Sequence, residues 1–85
     1  MSRHAKTLAR IARKPAPADI RWADLKAALE WMGFETLTGT GSRRKFFHRE
    51  KNVLISLHEP HPSPEVCKAA IDDVRRTLEA FGFLP

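Results

Sequence analysis

Two histidines and a run of three cations are the residues of this 85-residue chain best suited to chemistry. His58 and His61 bracket Glu59-Pro60, and Arg43-Arg44-Lys45 lies upstream. Histidine titrates near neutral pH, so two of them can act as base and acid in one site. Neighbouring cations can hold charge that develops on a phosphate. These are the parts that metal-free RNA cleavage needs. It takes a base for the ribose 2′-hydroxyl, an acid for the leaving 5′-oxygen, and an electrostatic group, here Arg43, Arg44 or Lys45. The alternative for each histidine is an exposed strand-end or loop residue without a role. Zinc fits poorly, because His58, His61 and Glu59 make no convincing ligand set and Cys67 falls on an apolar helix stripe. No metal or other cofactor is therefore expected. Gly39-Thr40-Gly41 is too short for a phosphate-cradling loop, and nothing suggests a Ser-His-Asp arrangement.

Charge supports a polyanionic partner. Fifteen Lys and Arg oppose ten Asp and Glu, for a formal net charge of +5. Nucleic acid is the commonest partner of such a surface, since phosphate contacts dominate its affinity. The length allows one domain with a thin core. A hydrophobic content of 42% argues against wholesale disorder. No apolar run approaches the roughly 20 residues of a membrane helix. The basic start is not followed by an apolar stretch and a cleavage site, so no secretory signal is expected. The single Cys67 cannot form an internal disulfide, and the expected compartment is the cytoplasm.

The elements that must position these groups follow from periodicity. Ser2 to Lys14 reads as a short basic helix, with Ala5, Leu8, Ala9, Ile11 and Ala12 as an approximate apolar stripe. Pro15-Ala16-Pro17 ends it as a stiff connector. This segment is either an arm that docks or a flexible basic tail. A second helix is predicted from Trp22 to Met32 on Leu25, Ala28, Leu29 and Met32, with Gly33 as its stop. Trp22 and Trp31 are read as packing residues. Strands follow at Phe34–Thr38, Arg43–His48 and Val53–His58. With Arg49–Asn52 as the loop, Phe46 should oppose Ile55, Lys45 should oppose Ser56, and Arg43 should oppose His58. Val53, Ile55 and Leu57 should face the core. The open side would carry Arg43, Lys45, Phe47, Leu54, Ser56 and His58, a plausible RNA surface. The last helix is predicted from an N-cap at Ser63 with Pro64 in its first turn, running to Phe81. Its buried stripe would be Cys67, Ile71, Val74, Leu78 and Phe81.

The expected fold class is α+β. Two helices cover one face of a three-stranded antiparallel sheet, and a basic helix precedes them. Residues 1–18 are read as the arm and proline linker, and residues 19–85 as the domain.

At this point the residues carry a family pattern. Gly41-Ser42-Arg43-Arg44-Lys45-Phe46-Phe47-His48 resembles the Gly-Ser-His-His-x-Phe-x-His strand of the HicA family of type II toxins. Leu57-His58-Glu59-Pro60-His61-Pro62 is similar to that family's strand exit. Lys68-Ala69-Ala70-Ile71, Val74 and Gly82 resemble its last helix, and Leu25, Leu29 and Gly33 its first. The similarity covers about Asp19 to Phe83. It implies a double-stranded-RNA-binding-domain-like α-β-β-β-α fold and mRNA endoribonuclease activity. It also implies a HicB-like antitoxin that masks the site. The family's catalytic histidine follows Gly-Ser, and here that position is Arg43, which cannot act as a base at pH 7. The expected catalytic set is therefore His58 as acid–base group, Arg43 stabilising charge and His61 assisting. Ser42, Arg44, Lys45, Phe47 and Lys51 are the expected RNA contacts. The alternative is a non-catalytic RNA- or protein-binding module on the same fold, and a third reading is a structural subunit whose open face, with Phe47 and Leu54, packs on another protein or in a homodimer.

Overall fold

Alternation along one strand sets the sheet. Val53, Ile55 and Leu57 are buried, while Leu54, Ser56 and His58 are exposed, as a period of two requires. The computed structural model describes residues 2–84. In chain order it contains α1 (Arg3–Ile11), α2 (Trp22–Trp31), β1 (Glu35–Thr38), β2 (Arg43–His48), β3 (Val53–His58) and α3 (Lys68–Ala80). The strands form one antiparallel sheet in the order β1-β2-β3. The result is a small α+β domain.

The register of β2 on β3 is the expected one. Phe46 opposes Ile55, Lys45 opposes Ser56, and Arg43 opposes His58. The connection is Arg49–Asn52, closed by a hydrogen bond from the Asn52 N–H to the Arg49 carbonyl (3.3 Å). Asn52 takes a left-handed φ of 55°, which asparagine tolerates better than most residues. Helices α2 and α3 pack on the core side of β1 and β3. Trp22 lies against Phe46, with ring centroids 5.7 Å apart.

Helix α1 is docked. It packs against α2 and α3, and Ile11 is 0% exposed within the same buried cluster as Leu25, Phe46 and Ile71. Ser2 caps the helix, its Oγ accepting the Ala5 N–H at 3.1 Å. The connector follows the core, with Ala16 buried. The apolar stripe differs from the predicted one. Thr7 and Ile11 are buried and Leu8 is half-buried, but Ala9 and Ala12 face solvent. Regular helix also ends at Ile11, short of Lys14. Arg75, almost wholly buried on α3, helps to hold that end. Its Nη1 donates to the Arg13 carbonyl at 3.3 Å and pairs with Asp72 at 2.6 Å.

The last helix begins later than Ser63 and Pro64 suggest. Residues 64–66 are extended and pair with residues 20–22. The Trp22 N–H donates to the Pro64 carbonyl and the Val66 N–H to the Ile20 carbonyl, each at 2.8 Å. Two tertiary backbone hydrogen bonds and burial of Val66 outweigh a favourable capping sequence. Ser63 Oγ instead accepts the Glu65 N–H within a local turn. Cys67 therefore sits at the N-cap of α3, exposed and outside the buried stripe. Phe81 is also exposed, because α3 has ended. Phe83 packs in its place, against Phe34 and His48. Trp31 is 55% exposed rather than a core residue, and stacks on His4 at 5.7 Å.

One histidine acts as structure. His48 is 7% exposed, its Nδ1 accepting the Lys51 N–H (3.1 Å) and its Nε2 3.2 Å from the Met32 carbonyl. A carbonyl can only accept, so the proton sits on Nε2. This ring ties the end of α2 to the β2–β3 loop. Gly33 makes room for it, at φ +105°, where an added Cβ would lie 3.0 Å from the imidazole Nε2.

Two stability outcomes follow. Ile11→Ala removes a fully buried side chain and should lower unfolding stability by about 2–4 kcal/mol in urea titration. A change under 0.5 kcal/mol, roughly the size of a surface effect, would mean that α1 is a dispensable arm. Gly33→Ala meets both strain and the His48 ring and should cost about 1–3 kcal/mol in the same assay.

Candidate functional site

The sheet face away from the helices is open. Its residues form three cross-strand rows: Glu35–Phe47–Leu54, Leu37–Lys45–Ser56, and Arg43–His58 at the end of the sheet. Every one of them is exposed except Phe47, which is half-buried. Directly opposed residues hold their Cβ atoms roughly 4.5–5.5 Å apart, so the Arg43 and His58 side chains rise side by side. Of the expected site, the structure brings Arg43, His58, Ser42, Lys45 and Phe47 to this face or its rim.

The end row is braced by the β1–β2 turn. The Gly39 N–H donates to the Arg43 carbonyl (3.1 Å), and the Arg43 N–H to the Thr40 carbonyl (3.2 Å). Beyond the strands, the Glu59 N–H donates to the Ser42 carbonyl at 2.8 Å, which extends the ladder by one rung. Ser42 Oγ consequently lies 3.4 Å from His58 Nδ1. Either group can donate in this contact, and the His58 side chain is exposed. Neither Arg43 nor Lys45 has an acidic partner within ion-pair distance among the described residues.

His61 stands on the exit loop, exposed. It borders a hollow of about 260 Å³ together with Gly41, Ser42, Arg44, Glu59 and Pro60. This hollow adjoins the Arg43–His58 row through Ser42. On the helix side lies a second hollow, of about 290 Å³, between α2 and the sheet. It is bordered by Trp22, Lys26, Thr36 and Thr38, and by the same Arg44 and Glu59. The Arg44–Glu59 pair is the wall between the two.

Two of the expected RNA contacts lie elsewhere. Arg44 points to the helix side, since it alternates with Arg43 along β2. Its Nε is 3.3 Å from Glu59 Oε1, and its Nη1 donates at 2.7 Å to the carbonyls of Gly41 and Arg43. It is a brace for the turn that carries Ser42 and Arg43. Lys51 sits at the opposite end of β2, about 17 Å away at a strand rise of roughly 3.3 Å per residue. Its Nζ donates to the Phe81 carbonyl at 2.9 Å and lies 4.9 Å from the Phe83 ring centroid. Both bonds fasten the segment after α3, so Lys51 is structural.

Sequence reasoning also missed Glu35, which opposes Phe47 on the open face and pairs with Arg49 at 3.1 Å, as well as Leu37 and the Arg44–Glu59 brace. Leu37 joins the open face because Thr36 opposes the buried Phe46, a β1–β2 register that the sequence reading did not set. The Arg44–Glu59 brace was legible, since each follows a residue assigned to the open face. Among the described residues, no three His, Cys, Asp or Glu side chains gather as a metal would need. No helix among them is long and apolar enough to cross a membrane.

No family model matches the chain, nor does a curated protein or a solved structure.

The two neighbouring arginines should separate in their effects. Arg43→Ala should change stability by less than about 0.5 kcal/mol, as an unpaired surface residue does. Arg44→Ala loses an ion pair and two carbonyl acceptors and should cost about 1–3 kcal/mol. Urea unfolding of both variants checks this, and equal costs would contradict the division of roles.

Proposed function

We propose that the chain is a HicA-like mRNA endoribonuclease, the toxin of a toxin–antitoxin pair, with its site on the open sheet face. One observation carries the reading: Arg43 and His58 are cross-strand neighbours on an exposed face, with Ser42 Oγ beside His58 Nδ1. The order α2-β1-β2-β3-α3 agrees with a double-stranded-RNA-binding-domain-like fold. The sequence resemblance over Asp19 to Phe83 supports it independently.

The chemistry is transesterification within the RNA. His58 Nε2 takes the proton of a ribose 2′-hydroxyl, and the 2′-oxygen attacks the adjacent phosphorus. Negative charge grows on the non-bridging oxygens, where the Arg43 guanidinium and the Lys45 ammonium meet it. The bond from phosphorus to the 5′-oxygen breaks, and protonated His61 supplies the proton that this oxygen requires. The products are a 2′,3′-cyclic phosphate and a 5′-hydroxyl. Ser42 Oγ can accept the Nδ1 proton of the His58 tautomer that the first step needs. Phe47 offers a ring on which a base can stack. Leu37, Leu54 and Phe47 give the same face an apolar strip, which suits cover by a HicB-like antitoxin.

A second reading has a specific observation behind it. Arg43 occupies the position where the resembled family carries its catalytic histidine. A binding module that holds RNA without cutting it is the alternative.

The test is cleavage of a transcript by the purified protein in the presence of a chelator. Wild type should release fragments ending in 2′,3′-cyclic phosphate, and His58→Ala should be slower by about 10²–10⁴, the usual worth of a general base. Arg43→Ala should lose about 10²–10³. An intact transcript with bound wild-type protein selects the binding module. Wild-type rates in both His58→Ala and His61→Ala remove the assignment of catalytic groups.

A further inference from the structure

The excess of positive charge is not spread over this molecule. Before Asp19 there are five Lys and Arg, namely Arg3, Lys6, Arg10, Arg13 and Lys14, and no Asp or Glu. The rest of the chain holds ten of each sign and is neutral. The whole excess of +5 therefore belongs to α1 and the three residues that follow it. Long-range attraction of a polyanion grows with net charge, and this segment supplies that excess, beside the local unpaired cations Arg43 and Lys45 on the sheet.

We propose that α1 is a second RNA-binding surface, which grips the phosphate backbone on the helix side of the molecule while the open sheet face holds the reacting linkage. The proposal rests on the RNA reading above and adds where the affinity resides. Arg3, Lys6, Arg13 and Lys14 are exposed, and none has an acidic partner among the described residues. Arg10 is half-buried and paired with Asp19. Docking makes the array rigid. Ile11 and Thr7 are buried on one side, Ser2 caps the helix start, and Arg75 holds the Arg13 carbonyl. Trp31 lies beside this surface, stacked on His4 and more than half exposed. Cations next to an exposed aromatic ring are the usual equipment for single-stranded nucleic acid.

The same features disfavour other occupants. An amphipathic helix that enters a membrane must offer its apolar stripe to lipid, and here that stripe is spent on α2 and α3. Protein interfaces gather apolar and aromatic anchors and are depleted in lysine at their centre. The outward residues of α1 itself are Arg3, Lys6 and Ala9.

Salt dependence of binding tests the proposal. The probe is a 20-nucleotide 2′-O-methyl RNA, which the proposed chemistry cannot cut, followed by fluorescence anisotropy with the full-length protein. Each single-strand phosphate contact contributes about 0.7 to the slope of log K against log salt. Replacing Arg3, Lys6, Arg13 and Lys14 by Gln should flatten the slope by about 3 and weaken binding at least tenfold at 0.1 M salt, where roughly four contacts are lost. Lys6→Gln alone should remove about 0.7, which keeps the test open should the fourfold variant unfold. The Arg3→Lys, Arg13→Lys variant should keep the wild-type slope. A sheet variant, Arg43→Gln with Lys45→Gln, should lose cleavage of an ordinary transcript yet keep most of the slope. Wild-type slope and affinity in the fourfold variant overturn the proposal while leaving the sheet site standing, and point to an acidic protein on α1. No binding by wild type overturns both. Loss of cleavage in the sheet variant together with the full loss of slope also overturns it, since the sheet would then carry the phosphate contacts.

Discussion

The register between β2 and β3 is the constraint on which the site depends. Phe46 and Ile55 are opposed and buried, and the chain can bury both only in this alignment or in one shifted by an even number of residues. A slip by one residue would send Arg43 and Lys45 into the core and Phe46 into water. The cost of burying unpaired cations makes that state inaccessible. The hydrophobic effect on one face thus fixes chemistry on the other. Nothing on the open face has to supply energy for its own arrangement, which leaves Arg43 without an acidic partner among the described residues and His58 with the Ser42 hydroxyl beside its Nδ1.

Alternation also sorts the charges. Two charged or titratable residues stand in succession where β2 begins, Arg43-Arg44, and where β3 ends, His58-Glu59. Successive side chains point to opposite faces, so the open side receives a guanidinium and an imidazole. The helix side receives Arg44 and Glu59, which neutralise each other across 3.3 Å. A carboxylate next in sequence to the site would repel phosphate if it shared the face. Its pairing with Arg44 keeps it on the other side, and the same arginine secures the turn that presents Ser42.

Local pattern reached much of this, and its failures have physical reasons. The three strands, the Arg49–Asn52 loop and the pairing of Arg43 with His58 were legible because period two and a short loop leave few alternatives. The start of α3 was not. Ser63-Pro64-Glu65 is a good capping sequence, but the main chain there joins residues 20–22, and a long-range backbone pair has no local signature. Cys67 and Phe81 were then misplaced, because a helical stripe was extended across residues that are not helical. Arg44 and Lys51 were assigned by charge alone. Their carbonyl and ring partners belong to segments that only the tertiary structure brings near.

Docking of α1 links stability to electrostatics in a chain this short. A domain of this length buries about 60–65% of its unfolded surface, so each additional buried apolar residue counts. Ile11, Ala16 and the half-buried Leu8 extend the core with residues that the α-β-β-β-α unit lacks. The same helix must then turn its other side to water, and Arg3 and Lys6 stand there beside Ala9. Self-repulsion among Arg3, Lys6, Arg10, Arg13 and Lys14 opposes the docked state. The Arg10–Asp19 pair offsets part of it, and Ile11 on the buried side supplies the larger opposing term. A flexible tail with the same composition would carry equal charge, but ordering it on a ligand would cost conformational entropy at the moment of binding. In the docked helix that ordering is already complete. The apolar stripe of α1 therefore serves the cations on its other side, just as Phe46 and Ile55 serve Arg43 and His58 across the sheet.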